Sequence, residues 1–224
     1  MRRATTFDEF IERVGTLFES ADETNASFRP RPTDVIISPF AKCGTTWLQQ
    51  MVHSIRTGGD MDFEDIYEVV PWIDVAIELG LDLDADQRAE PRAFKSHRMW
   101  DTVPKGCRYI VSFREPKDAA VSMFRFMEGW FIEPGAISVD EFVERTALDR
   151  EDGSDYWEHM ASWLRRRDDP DVLLLTFEEM KLELRKVVKR VADFMGVAAD
   201  DDLLDLATHR SSFEFMSANR GPFE

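Results

Sequence analysis

Apolar residues follow two alternating rhythms along this chain. Phe7, Phe10, Ile11, Val14, Leu17 and Phe18 recur at helical spacing. Thr6 with Glu9 three residues on has the form of a capping box, so the chain opens with a helix. A polar, proline-containing link over 25–33 leads to a short β-branched run, Val35–Ser38, read as a strand. Thr45–Arg56 returns to helical periodicity and ends at Gly58-Gly59. From Asp60 to Glu90 the chain is acidic and mixed, with a short helix expected around Trp72–Leu79. Arg92–Lys95 and Arg108–Phe113 read as strands. Pro116 opens a helix to about Glu128, since a first-turn residue needs no N–H partner. Ser138 with Glu141 starts another helix, and Tyr156–Arg167 forms the next. Val172–Thr176 is an apolar buried-strand run, and Phe177–Met195 is a helix stopped at Gly196.

Strands alternating with helices predict an α/β protein: a parallel β-sheet flanked by helices, with ligands bound at the carboxyl ends of its strands. At 224 residues without internal repeats, the chain reads as a single domain over 1–224. Lys plus Arg number 28 and Asp plus Glu 44, a net charge of −16. That balance argues against nucleic acid and anionic membrane as partners, so an anionic ligand needs a local cationic pocket. Cys43 and Cys107 lack metal-type spacing and read as reduced thiols. No apolar signal core lies in residues 1–30 and no apolar run is long enough to cross a bilayer. The expectation is a cytoplasmic protein without membrane insertion.

The stretch after the first strand carries the chemistry. Ser38-Pro39-Phe40-Ala41 is followed by Lys42-Cys43-Gly44-Thr45-Thr46-Trp47, where the next helix begins. Unpaired N–H groups and the positive end of the dipole make a helix start attractive to phosphate. Here Lys42 precedes Gly44, the reverse of the Gly-Lys-Ser/Thr order of nucleoside-triphosphate loops. Two other strand ends are polar beyond what a core needs. Lys95-Ser96-His97 follows the second strand, and Arg114-Glu115-Pro116-Lys117-Asp118 follows the third, with Ser122 two turns into the helix. If these strands are neighbours, the groups converge on one crevice.

Lys-x-Gly-Thr-Thr-Trp, Lys-Ser-His and Arg-x-Pro-Lys-Asp-x-x-Val-Ser resemble the cytosolic sulfotransferases. So do the later stretches Phe177-Glu178-Glu179-Met180-Lys181 and Ser211-Ser212-Phe213-Glu214-Phe215-Met216, and all five occur in the family's order. The resemblance implies a P-loop-like sulfotransferase fold. It also implies transfer of a sulfuryl group from 3′-phosphoadenosine 5′-phosphosulfate (PAPS) to a hydroxyl on a phenol, steroid-like alcohol or glycolipid, leaving 3′,5′-bisphosphoadenosine (PAP). It implies that Lys42 stabilises the leaving oxygen, that His97 is the general base and that Lys95 adds charge beside the transferring group. Cys43, Gly44, Thr45 and Thr46 hold the 5′-phosphate, and Arg114 and Ser122 hold the 3′-phosphate. Trp47 with Ser211, Ser212 and Phe213 lies at the adenine. No metal is required, because lysines supply the charge.

Phe40, Trp72, Phe126 and Trp130, with Met127 and Phe131, can line an apolar acceptor pocket, although such aromatic runs are also ordinary core. His53, His159 and His209 read as structural. Ala41 and Cys43 stand where the family usually has Pro and Ser. A Tyr expected near Gly153-Ser154 is missing, and the sequence ends at Glu224 before the family's cofactor-closing Arg-Lys-Gly segment, so truncation is expected and the oligomeric state stays open. Cys43, beside Lys42 at a helix start, reads either as a reactive, low-pKa thiol or as a buried, inert residue filling a small slot. Two other classes remain: a kinase with a variant phosphate loop, and a non-catalytic nucleotide-binding module.

Overall fold

The computed structural model describes residues 2–16, 18–146 and 155–223. Leu17 and the Gly153-Ser154 turn lie outside them. Four parallel strands, β1 (Val35–Ile37), β2 (Ala93–Lys95), β3 (Arg108–Phe113) and β4 (Val172–Thr176), form one sheet in the order β2-β1-β3-β4. Helices α1 (Phe7–Thr16) and α2 (Ala21–Ser27) precede β1, and α3 (Thr45–Thr57) follows it. Two short helices, α4 (Ile66–Val69) and α5 (Ala76–Leu79), with a 3-10 turn at Ile73–Val75, fill the chain before β2. Helices α6 (Pro116–Trp130), α7 (Val139–Thr146) and α8 (Tyr156–Leu164) join β3 to β4. Four more close the chain: α9 (Phe177–Leu182), α10 (Leu184–Met195), α11 (Asp201–Arg210) and α12 (Phe213–Ala218).

The strands alternate between two cores, as the period of two demands. Val35, Ile37 and Ile110 face a cluster built on Leu48, Met51 and Ile55 of α3 and Val187, Val188 and Val191 of α10. Ile36, Tyr109 and Val111 face the opposite cluster, with Phe28, Phe94 and Trp163. Covering both faces is why the strands read as unbroken apolar runs. A third cluster packs Phe7 and Phe10 of α1 against Ile132, Ile137 and Phe142.

The helix starts hold largely as their sequences dictate. The Thr6 hydroxyl accepts from the Glu9 N–H at 3.3 Å, although the Glu9 carboxylate reaches back to the N–H of Thr5 rather than Thr6. The Ser138 hydroxyl accepts from Glu141 N–H at 3.1 Å, and α3 stops at Gly58 with φ of 70°. The expected single helix over 177–195 bends at Glu183, whose ψ is 44°. The hydrogen bonds from Glu183 N–H to Glu179 and from Val187 N–H to Glu183 persist across that bend.

Under the sheet, Arg92 meets Asp34 through two hydrogen bonds of 2.6 and 3.1 Å, with 1% and 0% of the two residues exposed. Such a fork is geometrically specific, and breaking it strands a buried charge. Arg92→Met should therefore lower unfolding free energy by about 3–5 kcal/mol, measured by urea titration. A loss below about 1 kcal/mol would show that water or neighbours satisfy Asp34 instead.

Candidate active site

β1 lies between β2 and β3, so the three polar strand ends are neighbours on one edge of the sheet. The chain leaving β1 crosses toward β2 and the chain leaving β3 crosses toward β4, which opens a crevice at the switch between them.

The loop after β1 is tied down from β3. The Ser112 hydroxyl donates to the Cys43 carbonyl at 2.5 Å, and the Arg114 guanidinium donates to the Lys42 carbonyl at 3.0 Å. Lys42 has φ of 65°, a left-handed conformation that a non-glycine residue adopts at a cost. Gly44 caps α3 at φ of 99°, and a Cβ there would meet Phe177 at 3.3 Å and Ser112 Oγ at 3.4 Å, so only glycine fits. The N–H groups of Thr45, Thr46 and Trp47 follow at the first turn of α3, where a helix offers no internal acceptor.

Cys43 departs from expectation in its backbone amide, and its side chain takes one of its two readings. Its N–H donates to the Phe40 carbonyl at 3.1 Å, so the turn already uses that amide. Its side chain is fully buried beside Ala119 and Tyr156, with Phe40 and Met160 packed around it. Burial pushes the thiol up to about 12, overriding the lowering by Arg114. Cys107 is likewise buried and pushed up to about 12. The thiol therefore fills a small-residue slot, the second of the two readings its position in the sequence allows.

The two lysines sit on aromatic rings. Lys42 Nζ lies 4.2 Å from the Phe126 ring centre, and burial with the nearby Arg114 lowers its pKa. Lys95 Nζ lies 3.4 Å from the Trp72 ring and donates to the Tyr67 hydroxyl at 2.9 Å. Burial brings Lys95 down to about 7; Lys42 lowers it further, while Asp74 and Asp65 oppose the fall.

His97 is fixed at both ends. Its Nδ1 lies 2.8 Å from the Pro39 carbonyl and its backbone N–H donates to Asp74 at 2.8 Å. A carbonyl can only accept, so Nδ1 carries the hydrogen and the neutral ring's lone pair is on Nε2. Burial and the neighbouring Lys95 bring His97 down to about 3, which keeps the ring neutral at ordinary pH. Asp74 and Tyr67 were not singled out by the sequence. Both lie in the acidic, mixed stretch, where no motif marks them.

The remaining candidates fall into groups. Arg114 packs its guanidinium on Phe177 at 4.4 Å, and its Nε is buried without a protein partner, as are the hydroxyls of Thr45 and Ser211. These orphaned polar atoms around the loop suit an anionic ligand. Trp47 donates Nε1–H to the Ser211 carbonyl at 2.6 Å, which joins α3 to the Ser211 stretch. Ser212 caps α12 through the Phe215 N–H at 3.1 Å, and Phe213 is 76% exposed. Ser122 is partly buried on α6.

Trp72 and Phe126 lie against the lysines, whereas Phe40 packs on Tyr156 and His159, and Trp130 is 59% exposed. His53 and His159 are buried, and desolvation brings both down to about 4, as for structural histidines. Among the described residues no group of three or more His, Cys, Asp or Glu is placed to hold a metal. No helix among them is long and apolar enough to cross a membrane.

A parallel α/β sheet with a cationic loop, a second lysine and a neutral imidazole on one edge defines a group-transfer enzyme that uses an anionic nucleotide. The sulfotransferase domain matches residues 32–221. Sulfotransferase 1E1 of Bos taurus is 31% identical over 95% of this chain and 73% of its own. Sulfotransferase 1B1 of Canis lupus familiaris is 30% identical over 88% and 70%. Mouse sulfotransferase SULT7A1, complexed with PAP, superposes with a TM-score of 0.73 at 26% identity, covering 92% of this chain and 73% of that one. The chain belongs to the sulfotransferase family, and its reaction transfers a sulfuryl group from PAPS and leaves PAP.

Proposed function

We propose that this protein sulfates a lipophilic alcohol or phenol, with Lys42, Lys95 and His97 as its catalytic residues. One observation carries the reading: two desolvated lysines and a neutral histidine of defined tautomer share one edge of the sheet. PAPS, when bound, supplies a sulfuryl group whose transfer is in-line and loose, so the protein's work is positioning and charge stabilisation. His97 Nε2 accepts the acceptor's hydroxyl proton. Lys42 and Lys95 place positive charge where the leaving and transferring oxygens gain electron density. Thr45, Thr46, Trp47 and Gly44 present amides and hydroxyls to the 5′-phosphate, and Arg114 with Ser122 offers a fork and a hydroxyl to the 3′-phosphate. Trp47, Ser211, Ser212 and Phe213 border the adenine.

Trp72 beside Lys95 and His97, and Phe126 beside Lys42, give the acceptor two aromatic walls. Their spacing from the charged groups favours a flat phenol or steroid-like alcohol with its hydroxyl toward His97. Retinol dehydratase, a 20% identical protein of the same fold, has been solved with androsterone and PAP. The two free, buried cysteines support a reducing, cytoplasmic setting.

The test is a calorimetric titration of PAP against 5′-AMP. A charge-assisted contact is worth about 2 kcal/mol, so PAP should bind at least about tenfold more tightly. Equal affinities would remove Arg114 and Ser122 from the cofactor site.

A further inference from the structure

The structure assigns Asp74 a role in the reaction: we propose that it is a positioning residue that sets the base His97 and the acceptor wall Trp72 on one carboxylate. Asp74 sits in the 3-10 turn Ile73–Val75 and is 3% exposed. Oδ1 accepts from Ser96 Oγ at 3.0 Å and Asn25 Nδ2 at 3.0 Å; Oδ2 accepts from the His97 N–H at 2.8 Å and Trp72 Nε1 at 2.9 Å. Arg98 Nε lies 3.6 Å from Oδ1 and its guanidinium pairs with Asp22 on the other side.

All four groups approach as donors, so both oxygens of Asp74 serve as acceptors. An amide at 74 would turn an NH2 toward two donors and lose one of the two pairs. The pairs divide by purpose. Oδ1 serves α2 and the chain leaving β2. Oδ2 joins His97 directly to Trp72, whose ring edge-packs on the imidazole at 5.4 Å and carries Lys95 on its face. With Pro39 holding Nδ1 and Asp74 holding the backbone, the ring keeps one orientation, and Nε2 is directed without further support.

The same charge acts on Lys95. The charged groups around that ammonium are Asp74 and Asp65, which raise its pKa, and Lys42, which lowers it. Around His97 they are Lys95 and His159, which lower it, and Asp74 with the Pro39 carbonyl, which raise it. Neutralising Asp74 therefore lets Lys95 lose its proton at lower pH.

The inference rests on His97 being the base, and the experiment separates the two. Asp74→Asn, His97→Ala and the double variant are purified, checked by thermal melting, and assayed for PAP affinity, kcat, acceptor KM and the pH profile of kcat/KM. Asp74→Asn should lower kcat by on the order of 10²-fold, the scale of a small misplacement. PAP affinity should stay within about twofold of wild type, because the loop after β1 keeps its own ties to β3. The high-pH limb should move to lower pH, a shift that a purely structural defect does not produce.

In the His97→Ala background the same change should cost clearly less than in wild type, because the part that acts through the ring is already lost and only the effect on Lys95 and Trp72 remains. A fully active Asp74→Asn beside an inert His97→Ala overturns the role of Asp74 alone. So does an additive loss in the double variant. Wild-type turnover in His97→Ala overturns the base assignment and this role with it. If Asp74→Asn does not fold, Ser96→Ala, which removes one donor and leaves the charge paired, carries the same comparison with a smaller loss; unchanged kcat there overturns the proposal.

Discussion

His97→Ala should cut turnover by on the order of 10³-fold while PAP binds as before. General-base transfer by a positioned side chain contributes about 10²–10⁴-fold. The ring meets the chain leaving β1 at the Pro39 carbonyl, ahead of the Lys42 and Cys43 carbonyls that Arg114 and Ser112 hold, so its loss leaves that segment tied. The sign with pH follows from its depressed pKa of about 3: the imidazole is already neutral above that value. The His97 ring should therefore impose no acid limb between pH 5 and 7. Turnover near the wild-type rate in the variant would remove His97 from the base role, whereas an acid limb in that window that vanishes with it would keep the role and show the ring titrating well above 3.

Lys42→Ala should slow transfer by about 10²–10³-fold, since removing one donor to a developing oxyanion costs about 3–4 kcal/mol. The loss should fall mainly on kcat, because charge on the leaving oxygen grows as the bond breaks. Lys42 is the sharper test of the site because its backbone and side chain do separate jobs. The carbonyl ties to Arg114, while the ammonium rests on Phe126. Alanine keeps the first and removes the second. Single-turnover kinetics would separate chemistry from nucleotide release. A variant with unchanged kcat and a weakened nucleotide affinity would make Lys42 a binding group only.

Much of this was legible in the sequence because strand and loop carry local signals. The β-branched runs, the Lys42–Trp47 turn and the polar ends at Lys95 and Arg114 each announce themselves within a few residues. Two caps, at Thr6 and Ser138, did so as well. What stayed hidden was held by tertiary contact. Helix α2 buries only Ala21, Thr24 and Asn25, so it has no apolar stripe to read, and Asn25 is fixed by Asp74 from forty-nine positions away. Helix α11 carries an Asp200 cap onto the Leu203 N–H, a signal present but overshadowed by the acidic run around it. Asp74 looked like one carboxylate among many, since nothing local says that four donors converge on it. The two readings of the Cys43 thiol are not separable in the sequence, because a helix start alone does not reveal that Ala119, Tyr156 and Phe40 close over it.

The two bonds from Ser112 and Arg114 to successive carbonyls of the loop have a thermodynamic consequence. A segment tied in this way has surrendered its conformational freedom when the sheet forms, before any nucleotide arrives. Phosphate contacts then go into affinity and not into ordering chain, which is the general advantage of a rigid receptor. The strength of the nucleotide site is in that sense set during folding. A change at Ser112, near the end of β3 and outside the loop, can loosen the grip as surely as one at the loop itself.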